Sequence, residues 1–262
     1  MVPLAYRRAC WPSPKMSGIG MIPDILAVAV GVFVAGIISG ATGQAFPLIA
    51  GPIFLLEYPA AKAVALTALC SLTGQVFSAL LLRRLVAYKF CGFLIATGVV
   101  GVPLGTTLLT DCSPHLVRTT LGTLILASAT WALIQPITRN PRRSSCASEA
   151  LVGLCGGLTG GLAGASSVVP AIWCAVRGLD KESQRAVIQP YIMAVQLASL
   201  AALWYRGTLR ADFFHQYVVC LVPLLCGIGV GVEVFHLMSS KSATQAVLSL
   251  AAASGIALLF LA

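Results

Sequence analysis

Residues 36–52 read GIISGATGQAFPLIAGP, and the fold turns on how this stretch is understood. It carries four glycines and two prolines in seventeen residues, poor material for a straight helix. Yet it lies inside an apolar run, 25–56, that reads as membrane-spanning. As one helix that run would cover ~48 Å at ~1.5 Å per residue, against ~30 Å of bilayer hydrocarbon. Gly40, Gly43 and Pro47 therefore predict a break. Non-helical backbone at membrane depth persists only where it is buried in protein or lines a polar cavity. The amides freed around 42–46 are expected to face inward.

The rest of the chain supports a membrane setting. Of 262 residues, 58% are hydrophobic and 10% charged, and the mean hydropathy is +0.92. Apolar runs long enough to cross a bilayer recur along the whole length, and the alternating ten-residue segments of a β-barrel are absent. The expected fold is all-α and polytopic, with about eight transmembrane helices. An interrupted one covers 24–56, followed by 60–82, 90–109 and 115–137. A second interrupted one covers 150–177, followed by 186–205, 213–235 and 243–262. The net charge of +9 is not gathered into a basic patch interleaved with aromatics on a soluble segment, which argues against a nucleic-acid partner. The nine cysteines form no CxxC pair and lie mostly in apolar runs. They read as packing residues, with no metal site, cofactor or disulfide framework. Arg7 and Arg8 are followed by no adequate apolar segment before Pro12 and Pro14, so no signal peptide is expected. Composition makes 1–23 a disordered N-terminal extension.

The chain also resembles itself. GIISGATG from Gly36 is echoed by GLTGGLAG from Gly157, and Lys62-Ala63-Val64 by Arg185-Ala186-Val187. Two four-helix repeats, 24–138 and 148–262, joined by a linker at 139–147, account for both echoes. If every segment crosses once and the N-terminus is inside, eleven of the seventeen Lys and Arg fall inside, Arg139, Arg142 and Arg143 of the linker among them. That predicts cytoplasmic termini and a cytoplasmic linker; the expected location is the cell membrane, a bacterial inner membrane, crossed several times. Arg177, Lys181 and Arg185 spoil the bias, and a re-entrant hairpin would change the count.

Paired breaks in matching halves point to a transport site. Half-helix N-termini carry partial positive charge and suit anions. Thr42, Gly43 and Gln44 at the first break, and Ser166 and Ser167 at the second, are the candidate binding residues. Polar stripes at helical spacing add Gln75 from the second span, beside Thr67, Ser71 and Ser78, and Gln189 and Gln196 from the sixth, beside Ser199. No buried Lys or Arg is expected there, so dipoles and neutral donors would carry recognition. No catalytic residue is expected, since His115, His215 and His236 lie near span ends, away from Ser166. The partners are the lipid bilayer and a small anionic solute. A glycine packing seam, a passive anion channel and a non-transporting scaffold stay open as alternatives. The sequence does not fix the oligomeric state.

One family resemblance adds to this. VAGIISGATGQAFPLIAGPIFLLEYPAAKAVALTAL, 34–69, resembles the signature of the sulfite exporter TauE/SafE family: a glycine-rich first helix, a Pro-Leu turn, then P-x-x-K-A-V-A-x-T. GVVGVPLGTTLLTDCSPHLVRTTLGTLIL, 98–126, is similar to its glycine-rich helix, short loop and S-P-x-x-L-R, and the likeness covers about 24–262. Gln44-Ala45-Phe46 and Ser166-Ser167 stand where the family pattern usually has more glycines. The resemblance implies a permease of two four-helix repeats moving small sulfur-containing anions such as sulfite or sulfoacetate.

Overall fold

The computed structural model describes residues 21–82, 92–111, 145–207, 209 and 211–237, with single positions between 119 and 130 and between 239 and 260. The N-terminal extension, and most of the spans expected at 115–137 and 243–262, lie outside the described residues. Eight helices occur among the described residues: α1 Met21–Thr42, α2 Phe46–Glu57, α3 Ala60–Leu82, α4 Gly92–Asp111, α5 Cys146–Ala163, α6 Val168–Val176, α7 Lys181–Tyr205 and α8 Ala211–Leu237. Six of them (α1, α3, α4, α5, α7 and α8) are long and apolar enough to cross a membrane.

Local chemistry sets the helix ends. α1 stops at Gly43, which adopts φ +83° and donates its N–H to Ser39 O at 2.6 Å. α5 stops at Gly164, φ +69°, whose N–H reaches Gly160 O at 2.8 Å. Glycine enters this left-handed region without a Cβ penalty. Pro47 lies in the first turn of α2, where a missing N–H costs nothing. Ser145 caps α5, accepting from Ser148 N. Asp180 caps α7, and bonding from Ser183 and from the amides of Glu182 and Ser183 holds its carboxyl below its usual range.

After each glycine the chain turns back on itself. A Cβ at Gly31 of α1 would sit 2.5 Å from Ile53 Cδ1 of α2. At ~1.5 Å of rise per residue, those two positions could not meet unless α2 folded back along α1. In the same way a Cβ at Gly156 of α5 would lie 3.1 Å from Pro170 Cδ of α6. The sequence reading of two interrupted spans therefore needs correction: each is a hairpin, one long helix and one short one.

Two glycine seams fix the helix directions. Gly36 and Gly40 of α1 face Gly227 and Gly231 of α8, while Gly98 and Gly105 of α4 face Gly157 and Gly161 of α5. In both pairs the residue numbers rise together, so each pair is parallel. Small residues at four-residue spacing let backbones approach closely, the common device for helix pairs in lipid. α3 and α7 are antiparallel, since Gln75 meets Gln189 and Ser78 meets Arg185. Hence α1, α3 and α8 run one way and α4, α5 and α7 the other. The first described helix packs on the last described one, and α4 packs on α5.

These directions overturn the expectation that the N-terminus and the linker share a face. α1 starts at one end of the bundle, and α5 starts at the other. The single-crossing count fails because the first hairpin enters and leaves at the same end.

Polarity runs inside out. Leu26, Val30, Leu80, Val100, Leu104, Val218 and Val222 are exposed, whereas Gln44, Gln75, Gln189, Gln196 and Arg185 are buried. Water gives no reason for that distribution and lipid does, because polar groups in a lipid-facing bundle turn to its interior.

Candidate functional site

The two hairpin tips lie side by side at the middle of the α3–α7 pair. Ser167 Oγ, from the second tip, donates to Gln44 O of the first at 2.9 Å. Each tip is also held by a glutamine of the helix that follows it. Gln75 Nε2 of α3 donates to Gly43 O at 2.8 Å, and Gln196 Nε2 of α7 donates to Gly164 O at 2.9 Å. The sequence separation is the same, 32 residues, in both. Gln189 Nε2 then donates to Gln75 O at 2.8 Å, joining α7 to α3.

The structure brings together seven of the eight residues expected at the site: Gly43, Gln44, Ser166, Ser167, Gln75, Gln189 and Gln196. Thr42 adjoins them, but its hydroxyl is committed to Ile38 O of its own helix at 2.7 Å. The polar stripes also turn inward as expected, with Thr67, Ser71, Ser78 and Ser199 all buried.

Several buried acceptors at the tips have no hydrogen-bond partner among the described residues: Gln44 Oε1, Gln75 Oε1 and Gln196 Oε1, with the hydroxyls of Ser71 and Ser199 on the same helices. The amide nitrogens of Gln75 and Gln196 each donate to a carbonyl, which fixes where their oxygens point. A buried polar atom left unsatisfied costs ~1–3 kcal/mol. Such groups gathered at two glycine turns mark a place for water or a polar solute.

One residue at the site contradicts the expectation of neutral donors alone. Arg185 is buried, 6% exposed, against the first tip. Its Nη1 donates to Gly40 O at 3.2 Å, its Nη2 donates to Ser78 Oγ, and its guanidinium lies 4.7 Å from the centre of the Phe235 ring. It fits because Gly43 has no side chain: a Cβ there would stand 3.1 Å from Arg185 Nε. The sequence placed Arg185 among loop cations and paired it with Lys62. Lys62 instead sits near the start of α3, with its Nζ 5.6 Å from the centre of the Tyr58 ring. The shift along the chain that carries Gly43 onto Gly164 and Gln75 onto Gln196 carries Val64 onto Arg185. A register error of two residues turns a side chain by roughly 200° about a helix, enough to take a cation from the rim to the core.

Membrane-length helices with an apolar exterior, closing on buried polar turns, define a multi-pass membrane protein of the transporter kind. The family model described as Sulfite exporter TauE/SafE matches residues 28–258, and the chain belongs to that family of membrane transporters. No curated protein and no solved structure matches the chain.

Proposed function

We propose that the protein is a permease of the cell membrane for a small sulfur-containing anion, of the sulfite, sulfonate or sulfoacetate type. The solute binds between the two hairpin tips. The observation that carries this reading is the meeting of two glycine-turned hairpins from opposite ends of the bundle, flanked by Gln75 and Gln196. In such a pair the helix dipoles and freed amides converge on one point. The reciprocal packing of α1 on α8 and of α4 on α5 supports two repeats of inverted topology, 24–138 and 148–262. Alternating access then amounts to movement of the tips about a fixed site. Thr42, with its hydroxyl turned back into α1, contributes backbone rather than side chain.

Leucine at position 75 tests the site. It removes the bond to Gly43 O and one unsatisfied acceptor together, so sulfite uptake into vesicles should fall about tenfold, as expected for loss of one or two hydrogen bonds of ~0.5–1.5 kcal/mol each. Uptake equal to the parent's at matched insertion would move the solute elsewhere. Counterflow distinguishes a permease from a passive channel, since only a carrier shows trans-stimulation.

The helix directions also predict orientation. In the sequence, Arg83, Arg84 and Lys89 follow α3, and Arg139, Arg142 and Arg143 precede α5; by the positive-inside rule the end where α3 finishes and α5 begins is then cytoplasmic. Tyr205, at the close of α7, belongs to the opposite end. In a background cleared of native cysteines, Tyr205→Cys should react quickly with an impermeant maleimide in intact cells, and Asn140→Cys only after permeabilisation. Equal reactivity at both positions would contradict the hairpin geometry.

A further inference from the structure

We infer that Arg185 is the charge-reading residue of the site, and that it makes the site one-sided: a small oxyanion docks at the first hairpin tip from the end of the bundle where α7 begins. This deepens the permease reading above and rests on it. Three observations carry the inference. A buried guanidinium lies against the tip, held by a backbone carbonyl and a serine hydroxyl. The residue beside it is a left-handed glycine whose missing Cβ makes the space. The position related to it in the other half is Val64, also buried.

The asymmetry is local. Gly40, Gly43, Gln75 and Ser78 correspond to Gly161, Gly164, Gln196 and Ser199, and the two sets of residues match closely. Around Gly164, the atoms a Cβ would meet belong to Thr67 and to Val64 O, at 3.0–3.5 Å. Around Gly43 they are Arg185 Nε, Cγ and Cδ, at 3.1–3.3 Å. Ser78 meets a guanidinium, while the hydroxyl of Ser199 is buried with no partner among the described residues. Among the described residues, the pair of tips therefore carries a buried positive charge on one side only.

Arginine suits the task. Its planar fork matches two oxygens of an oxyanion at once, and bonds between charged partners are shorter and stronger than neutral ones. An anion arriving at the tip exchanges with the Ser78 hydroxyl for the guanidinium. It keeps the tip amides on one side and the oxygens of Gln75 and Gln44 for its proton or its water. Arg185 stands one turn into α7, near the end flanked by the Arg-rich segments. Anions from that side meet a cation first, and anions from the other side meet valine.

The test uses the whole chain, with sulfite as probe, in vesicles of known orientation and in detergent. Arg185→Gln should raise the half-saturating sulfite concentration about ten- to a hundredfold on the α7-start side, the range a lost charge-assisted bond corresponds to. The effect on the opposite side should be smaller. Arg185→Lys, which keeps the charge but not the fork, should fall between, and Lys62→Gln should behave as the parent. In detergent, sulfite or sulfate should raise the melting temperature of the parent and of Lys62→Gln, but not that of Arg185→Gln. Half-saturation unchanged in Arg185→Gln, or equal changes from the two sides, overturns the inference while leaving the permease intact. A parent that transports no sulfur anion, yet is stabilised by oxyanions only when Arg185 is present, sinks the permease reading and keeps the site. A parent stabilised by no oxyanion overturns the site as well.

Discussion

Valine at position 43 is expected to abolish sulfite transport in vesicles even where the protein inserts at parental levels. Gly43 ends α1 at φ +83°, a region that costs a residue with a Cβ ~1–2 kcal/mol and a β-branched one more. Strain is only part of the effect. A Cβ would stand 3.1, 3.2 and 3.3 Å from Arg185 Nε, Cγ and Cδ, and the γ-methyls of valine need further room. Either the arginine leaves the tip or the tip unwinds, and both outcomes remove the proposed docking position. Gly43→Ala should lie between, since a flexible side chain can yield by a few tenths of an ångström. Gly51→Ala is the control, because a Cβ there meets nothing within 4 Å. Parental uptake by Gly43→Val would show that the hairpin tip is only a packing device.

The sequence revealed the tips more clearly than the path of the chain through them. Glycine and proline at membrane depth are a strong signal because so few structures tolerate them there, and both breaks fall where the residues predict, at 43–45 and 164–167. The glutamines were legible for a related reason: long polar side chains on otherwise apolar helices have only the interior to face. The reversal was not legible. A left-handed glycine releases the chain, but the direction of its exit is set by contacts such as Gly31 with Ile53, far apart in sequence. Arg185 was hidden by a different effect. It lies four residues into a helix that begins with Lys181 and Glu182, so composition reads it as a surface cation. The echo of Lys-Ala-Val in Arg-Ala-Val then drew it into register with Lys62. The glycine echo of Gly36 in Gly157 already carries the other register, two residues away, and the paired contacts Gln75 with Gly43 and Gln196 with Gly164 agree with it. The helix directions redistribute the cations in the same way: once the hairpins reverse, Arg177 and Lys181 lie at the end where α7 begins, while Arg206 lies at the opposite end.

Among the described glycines that pack against backbone, Gly157→Val should cause the largest loss of stability, and Gly231→Val one nearly as large. A Cβ at Gly157 would lie 1.9 Å from Gly98 O and 2.7 Å from Gly98 C, and one at Gly231 would lie 2.1 Å from Ile37 O. These are backbone atoms, with no rotamer to change, so the helices themselves must part. Overpacking of this kind costs ~1–3 kcal/mol where side chains can adjust, and more is expected where only backbone can move. Gly229→Ala provides the comparison: the same helix, nothing within 4 Å of its Cβ, and a gain in helix propensity of about 0.8–1.0 kcal/mol in principle. Thermal melts in detergent should therefore show Gly157→Val and Gly231→Val well below the parent and Gly229→Ala at or above it. A parental melting temperature for Gly157→Val would mean that α4 and α5 are not in backbone contact. The same seams constrain the transport cycle. Each ties the first helix of one half to the last described helix of the other at near-contact distance, so sliding there is blocked by carbonyls. Under the permease reading, movement falls where side chains rather than backbones meet, between the tips and the α3–α7 pair. A disulfide joining α4 to α5 across the seam should then leave transport intact, whereas one joining the tips, between cysteines at Gln44 and Ser167, should stop it.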